Sequence, residues 1–137
     1  MSHGSADDLV DAFYRAHNAR DAAAAAALYA ADAVHREGSA GPERAGREAL
    51  EAGLARFFAM MPDAHWDVRE RIAATGSVVV VYTLTGHLGV DLGGQPTRGR
   101  PIRLDGVHVI DVTDGAISAT RDFWSLDAFK RQARGEA

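Results

Sequence analysis

The dipeptide Asp114-Gly115 constrains this sequence most, because it marks a tight turn between two strand-forming segments. The flanking residues 101–112 and 116–125 include many β-branched and aromatic side chains, which favour strands. An Asp-Gly pair in this position is a strong signal for a two-residue β-hairpin. In such a hairpin, positions whose numbers sum to about 229–230 lie opposite each other. This register places His108 opposite Asp122.

His108 and Asp122 are the candidate catalytic residues. Strand alternation puts His108 on the same face as Ile110, and Asp122 on the same face as Thr120 and Trp124. Directly opposed side chains lie about 5 Å apart at Cβ. On an apolar wall such a pair can move a proton, because the carboxylate fixes the imidazole tautomer or favours its charged form. A structural hydrogen bond, or two solvated side chains, is the alternative.

The rest of the chain has helical spacing in its first half and strand spacing in its second half. The predicted helices are residues 7–19, 22–31, 47–61 and 127–134, and the predicted strands are residues 33–37, 65–73, 77–88, 101–112 and 116–125. Ser5 and Asp21 are the expected N-caps, and the glycine-containing segments 38–46 and 89–100 are expected to be loops. This order predicts an α+β fold in which three helices cover one face of a curved antiparallel sheet. The resulting cone would enclose a small-molecule pocket.

Length and composition exclude several classes of protein. A chain of 137 residues with 47% hydrophobic and 25% charged residues is expected to form one globular domain over residues 1–137, ordered over roughly 6–134. The absence of cysteine excludes disulfides, thiolate metal sites and a cysteine nucleophile. The net charge of −4 argues against a nucleic-acid partner. Neither a membrane-length apolar segment nor a signal-peptide pattern is visible, so we expect a cytoplasmic protein without a membrane partner.

Further polar and aromatic residues are candidates for substrate binding. These candidates are Tyr14, His17, His35, Glu37, Trp66 and Trp124. His35 and Glu37 are two residues apart and would share a face of a short strand. His17 lies on the apolar stripe of the first helix, where a hydrogen-bonded core histidine is the alternative. The two tryptophans would line either the core or the pocket, and His65 would be exposed.

The sequence predicts no metal site. His35, Glu37, His108 and Asp122 are chemically suitable ligands, but they lack the spacing of known metal motifs. The pattern His35-x-Glu37 matches half of a zinc deaminase signature, whose second half needs cysteines that this chain lacks. There is also no phosphate-binding loop, dinucleotide fingerprint or nucleophile elbow.

Several short motifs follow one another in a characteristic order over most of the chain. They are residues 28–34 (LYAADAV), 44–50 (RAGREAL), 61–63 (MPD), 82–86 (YTLTG), 96–97 (PT), 107–117 (VHVIDVTDGAI) and 121–124 (RDFW), with Arg131-Gln132 downstream. In this order they resemble the SnoaL-like polyketide cyclases of the nuclear transport factor 2-like superfamily.

This resemblance implies a function. Cyclases of this family close a ring on an aromatic polyketide by intramolecular aldol condensation, in antibiotic biosynthesis, without a cofactor or metal. An acidic residue on the last strand moves the proton and a histidine on the preceding strand lies nearby, which here are Asp122 and His108. A pocket position on the first helix that is often aromatic in the cyclases falls at His17. The family is usually dimeric through the outer face of the sheet, so we expect a homodimer with a small hydrophobic substrate. That outer face would contain Val107, Val109, Arg121 and Phe123.

Other functions on the same fold stay open. Residues 121–123 (RDF) also resemble limonene epoxide hydrolase, whose matching aspartate activates water. That family needs an arginine and a second aspartate on the long middle strand, whereas here Arg103 and Asp105 lie on the strand after it. The sequence around His87 is one residue shorter than the family pattern, so His87 receives no role. Epoxide hydrolysis, a ketosteroid isomerase-like reaction and a non-catalytic binding module for a small molecule or a protein are the alternatives.

Overall fold

The computed structural model describes residues 6–38 and 41–136, and these form four helices and six strands. The helices are α1 (Ala6–Asn18), α2 (Ala22–Ala26), α3 (Arg47–Met60) and α4 (Leu126–Ala133). The strands are β1 (Tyr29–Glu37), β2 (Glu43–Ala45), β3 (His65–Ala74), β4 (Ser77–His87), β5 (Pro101–Thr113) and β6 (Ala116–Phe123). The α+β class and the number of helices are as predicted, while the expected cap Ser5 lies outside the described residues.

Side-chain caps begin two of the helices. Asp21 accepts a hydrogen bond of 3.0 Å from the backbone N–H of Ala24 and starts α2, as predicted. Ser125 accepts one of 3.0 Å from Ala128 and starts α4. Each cap satisfies a backbone N–H that has no partner inside its helix. In the described ranges, none of the helices has the length and apolar character needed to cross a membrane.

Two polar contacts fix helices α1 and α3 over the sheet. At the end of α1, the Asn18 side chain accepts a hydrogen bond from the backbone N–H of Trp66 (2.7 Å) and donates one to its carbonyl (3.0 Å). At the start of α3, the Arg47 guanidinium donates two hydrogen bonds, of 3.1 and 2.8 Å, to the carbonyl of Tyr29. Both helices are thereby attached to strands whose residues Tyr29 and Trp66 line the cavity of the protein.

The six strands form one sheet in the order β2-β1-β6-β5-β4-β3. Four of the five neighbouring pairs are antiparallel, as expected, but β1 runs parallel to β6. The prediction of a wholly antiparallel sheet is therefore wrong at this pair. The segment 38–46, predicted as a loop, also contains the short strand β2, which pairs with β1 and adds an ion pair of 2.6 Å between Arg36 and Glu43.

The alanine-rich helix is shorter than predicted. We expected it to span 22–31, but α2 ends at Ala26 and β1 begins at Tyr29. The cause is pairing with β6, in which the N–H of Ile117 donates to the carbonyl of Leu28 (3.0 Å) and Tyr29 lies beside Ile117. Strand pairing and burial thus outweigh the intrinsic helix preference of alanine at this junction.

The β5–β6 hairpin has the predicted register. Asp114 and Gly115 adopt φ values of 53° and 77°, the left-handed pair that a two-residue turn requires. A bulge between Asp111 and Val112 shifts the register once, so that Val112 pairs with Ile117 and His108 pairs with Asp122. The predicted juxtaposition of His108 and Asp122 is confirmed.

The inner, concave face of the sheet carries the core. Buried inner-face residues include Val78, Val80, Tyr82, Leu84, Ile102, Leu104, Ile110 and Ile117, and α1 and α3 cover them with residues such as Val10, Phe13, Leu50 and Phe58. Burying one such aliphatic or aromatic side chain stabilises the fold by roughly 1.5–3 kcal/mol. Alternate residues such as Val79 and Val109 face the other way and stay partly exposed. The helices do not fill the cone completely, and the remaining space is the cavity described next.

Candidate active site

A cavity of about 390 Å³ lies between the helices and the inner face of the sheet. This volume is within the range of about 300–1,000 Å³ that is typical of small-molecule sites. Its wall is mainly aromatic and aliphatic. Seven of the predicted site residues line it, namely His17, His35, Glu37, Trp66, His108, Asp122 and Trp124. Tyr14 is not among the lining residues and instead lies behind His108.

Asp122 and His108 face each other inside this cavity. Asp122 Oδ2 lies 3.4 Å from His108 Nε2, and their side chains are 15% and 5% exposed. The expectation that both side chains converge inside the cone is confirmed. The separation is that of an ion pair and is longer than a typical N–H···O hydrogen bond, and Asp122 also lines the cavity.

Tyr82 supplies the shortest contact to this carboxylate. Its hydroxyl donates a hydrogen bond of 2.6 Å to Asp122 Oδ1, although Tyr82 is on β4 and Asp122 on β6. The phenol reaches across β5 because residue 106 is glycine. A Cβ atom at Gly106 would overlap the hydroxyl and ring of Tyr82. Sequence reasoning missed both residues, and the signal that could have found them is a glycine in the middle of an otherwise β-branched strand.

Tyr14 holds His108 from behind. Its hydroxyl lies 2.6 Å from His108 Nδ1, and both side chains are buried. Because Nε2 faces the carboxylate, Nε2 carries a proton and points it at Asp122, while Nδ1 shares a hydrogen bond with the Tyr14 hydroxyl. Burial, followed by the charge of Asp122, raises the pKa of both Tyr14 and Tyr82 far above the ordinary value. Both phenols therefore stay protonated, and Tyr82 is the donor to Asp122.

These contacts decide the charge of Asp122. Burial by itself raises the pKa of this carboxyl group. The charge of the adjacent His108 and the hydrogen bond from Tyr82 act in the opposite direction and outweigh burial, so that the pKa lies below its ordinary value. At neutral pH the site holds an ionised carboxylate in an apolar cavity, which is the form that can accept a proton.

A second network fixes the wall of the cavity beside Asp122. His35 lies 2.7 Å from Thr120 through Nδ1 and 3.1 Å from Glu37 through Nε2. The other oxygen of Glu37 accepts a hydrogen bond of 3.0 Å from the indole of Trp124. The parallel register places Glu37 next to Asp122. Within the described residues, no group of three or more His, Asp or Glu side chains could hold a metal ion.

His17 is a buried, neutral histidine. Its side chain is 3% exposed, and its Nδ1 donates a hydrogen bond of 2.8 Å to the carbonyl of Phe13. Burial, followed by the charge of His108, lowers its pKa from 6.5 to about 3. His17 differs in this respect from a surface histidine, which would gain a proton near pH 6.5.

The remaining residues considered from the sequence lie outside the cavity. His65 is exposed, as predicted, and His87 is exposed and bound to Asp63 at 2.7 Å. Arg103 and Asp105 are exposed as well, and Asp105 accepts a hydrogen bond of 2.7 Å from Thr83. They do not complete the arginine and second aspartate of an epoxide hydrolase site.

A protein-family model covers most of the chain. The model of the SnoaL-like domain matches residues 10–120, which include His108 and end two residues before Asp122. The chain belongs to the SnoaL-like family. No match was found among the curated proteins.

Solved structures share the fold of this SnoaL-like chain. A putative polyketide cyclase from Xanthomonas campestris pv. campestris has a TM-score of 0.84 and 27% identity, covering 93% of this chain and 95% of that chain. A putative SnoaL-like polyketide cyclase from Shewanella denitrificans has a TM-score of 0.80 and 18% identity, with coverages of 95% and 97%. A hypothetical protein with a ketosteroid isomerase-like fold from Catenulispora acidiphila has a TM-score of 0.80 and 23% identity, with coverages of 97% and 96%. The last two similarities show the fold alone.

The depressed pKa of His17 predicts a specific loss of stability in acid. The folded protein keeps His17 neutral down to about pH 3, whereas the unfolded chain protonates it near pH 6.5. Between these values the unfolded state binds one more proton than the folded state. The free energy of unfolding therefore falls by about 1.4 kcal/mol for each unit by which the pH is lowered. The variant His17→Phe should lack this contribution, so its stability should depend less on pH between about pH 6 and pH 4. Urea unfolding at several pH values measures the difference.

The exposed His65 offers a control for this measurement. His65→Phe should keep the wild-type pH dependence, because His65 is exposed and outside the cavity. Equal pH dependence in His17→Phe and the wild type would contradict the assignment of His17 as a buried neutral group.

Proposed function

We propose that this SnoaL-like protein is a cofactor-independent acid/base enzyme that closes a ring on a hydrophobic, polyketide-like substrate by intramolecular aldol condensation. One observation carries the proposal. Asp122 is a carboxylate that faces an apolar cavity, with Oδ1 bound by Tyr82 at 2.6 Å and Oδ2 next to His108. The family match and the similarity to a putative cyclase at 27% identity support the choice of reaction.

The chemistry needs one proton carrier. Asp122 accepts a proton from a carbon next to a substrate carbonyl, and the electron pair of that C–H bond forms an enolate. The enolate carbon attacks a second carbonyl of the same molecule and forms the new C–C bond of the ring. Asp122 then returns its proton to the alkoxide that results. The reaction involves no oxidation or reduction, and Asp122 returns the proton that it accepted. The substrate and Asp122 therefore suffice, and no other reactant is needed.

The surrounding residues have positioning roles in this proposal. Tyr82 and His108 keep Asp122 ionised and oriented, and Tyr14 orients His108 in turn. The Nε2–H group of His108 lies beside Asp122 and is also the donor that would stabilise a developing enolate oxygen there. His35, Glu37 and Trp124 form a rigid hydrogen-bonded wall, and Trp66 offers an aromatic surface to the substrate.

Three other functions are compatible with the fold, and a ketosteroid isomerase-like reaction would use the same carboxylate. Epoxide hydrolysis is disfavoured, because Arg103 and Asp105 are exposed and outside the cavity. A non-catalytic binding module would use the same cavity but would not need an ionised Asp122. Ring closure and non-catalytic binding differ in what the removal of this carboxylate does, because only ring closure requires it.

Asp122→Asn should keep the fold and ligand binding but lose the chemical step. The amide has nearly the same shape as the carboxylate, but it cannot accept a proton at neutral pH. General acid–base groups contribute roughly 10²–10⁴-fold, so we expect a rate loss of about that size. The measurement is single-turnover ring closure of an aromatic substrate with an enolisable ketone beside a second carbonyl, together with its binding affinity.

Matched variants sharpen this test. Asp32→Asn changes an exposed carboxylate outside the cavity and should leave the rate unchanged. His108→Ala should cost less than Asp122→Asn if His108 only orients the carboxylate, and a similar amount if it also donates to the enolate. Normal turnover by Asp122→Asn would overturn the proposal. A wild-type protein that binds tightly and turns over no substrate would favour the binding module.

We also propose a homodimer that buries the outer face of the sheet. Val79 lies opposite Val109, and Val81 lies opposite Val107, which in turn lies opposite Phe123. All five are partly exposed and form an apolar patch across three strands, which the exposed Arg121 borders opposite Val109. Contiguous apolar patches of this kind are typical of interaction surfaces, and a stable dimer would bury more than about 1,000 Å² in total.

Val107→Glu should dissociate this dimer, because it places a charge in the middle of the patch. Sedimentation velocity should give twice the chain mass of 14.6 kDa for the wild type and one chain mass for the variant. Ala73→Glu, on the exposed end of β3 and outside the patch, is the control and should remain a dimer. A wild-type monomer at all concentrations would contradict the proposal.

A further inference from the structure

His17 presents a hydrogen-bond acceptor, and no donor, to the cavity. Its Nδ1 lies 2.8 Å from the carbonyl oxygen of Phe13. A carbonyl oxygen can only accept, so Nδ1 carries the proton. Burial keeps the imidazole neutral, with a pKa of about 3. The second ring nitrogen, Nε2, therefore carries a lone pair and no hydrogen.

This lone pair has no partner in the described part of the protein. Within the described residues, His17 makes its hydrogen bond to the Phe13 carbonyl, and this bond uses Nδ1 rather than Nε2. Among the described residues, no buried side-chain nitrogen or oxygen lacks a hydrogen-bond partner. Because Nε2 has no partner, it must reach the surface of the cavity, which His17 lines. The side chain as a whole is only 3% exposed, so this opening is narrow.

Aromatic neighbours keep the ring in this orientation. The ring centroid of Phe13 lies 4.0 Å from that of His17, and the Trp66 ring meets it edge-on at 5.0 Å. The imidazole therefore cannot turn to find another partner without breaking its bond to Phe13. An oriented acceptor on an apolar wall is a recognition element, because an unpaired polar atom in such a place is costly.

We infer that His17 Nε2 accepts a hydrogen bond from a hydroxyl group of the substrate, so that the cavity selects a hydroxylated aromatic ring. The inference rests on the proposed function and deepens it by naming the substrate class. Nearby donors of the wall do not occupy His17 Nε2, since the Tyr82 hydroxyl is bound to Asp122 and the Trp124 indole to Glu37. The His17 and His108 ring centroids are 6.4 Å apart and His108 is paired with Asp122, so His17 borders the same part of the cavity as the proposed base.

Two probes that differ in a single donor test this inference. β-Naphthol and its methyl ether share the same fused aromatic ring, but only the naphthol can donate a hydrogen bond. Calorimetric titration of the wild type should show the naphthol binding about tenfold more tightly, the size of effect expected for one hydrogen bond to a buried acceptor. In His17→Phe the naphthol should bind about tenfold more weakly, while the affinity for the ether should be unchanged. The His17 Nε2 resonance in imidazole nitrogen NMR should shift with the naphthol and not with the ether.

Control variants separate the possible outcomes. His65→Phe, which removes an exposed imidazole, should keep the wild-type preference for the naphthol. A preference that persists in His17→Phe but disappears in Asp122→Asn would place the hydroxyl at Asp122 and overturn the inference. Equal affinity of the wild type for both probes would mean that water satisfies Nε2, which also overturns it. Failure of the wild type to bind either aromatic probe would instead count against the proposed function, because the cavity would then not be a small-molecule site.

Discussion

A carboxylate in an apolar cavity must be hydrogen-bonded if it is to stay charged, and the site depends on how Asp122 meets this requirement. Tyr82 donates to one oxygen from two strands away, and His108 lies beside the other. Their combined effect outweighs burial and keeps the pKa of Asp122 below its ordinary value. The fold therefore provides an ionised base in surroundings that would otherwise favour a neutral carboxyl group.

The sequence predicted the part of this site that local rules determine. The left-handed turn at Asp114-Gly115 leaves one plausible register for the hairpin, and this register pairs His108 with Asp122. The contact between Tyr82 and Asp122 could not be predicted in the same way, because it crosses β5. It depends on the absence of a side chain at Gly106, and strand alternation alone gives no distance between residues two strands apart.

The errors in the fold prediction have a related physical cause. The pairing of β1 with β6 joins residues about 85 positions apart in the sequence, such as His35 and Thr120, and no short motif reports such a contact. This pairing ends the alanine helix early, against the preference of its residues. It also brings Glu37 next to Asp122, so the least predictable part of the sheet forms one wall of the cavity.

The SnoaL-like fold encloses the cavity, and a few polar side chains in the cavity wall determine its chemistry. The central claim is that hydrogen bonding by Tyr82 lowers the pKa of Asp122. Its most direct test is a carboxyl-carbon NMR titration of Asp122 in the wild type, in Tyr82→Phe and in Tyr29→Phe, whose hydroxyl bonds to Thr120 instead. We predict a wild-type pKa below the ordinary value, a higher one in Tyr82→Phe, and no change in Tyr29→Phe. A wild-type pKa above the ordinary value, or one that the loss of the Tyr82 hydroxyl does not alter, would contradict the account.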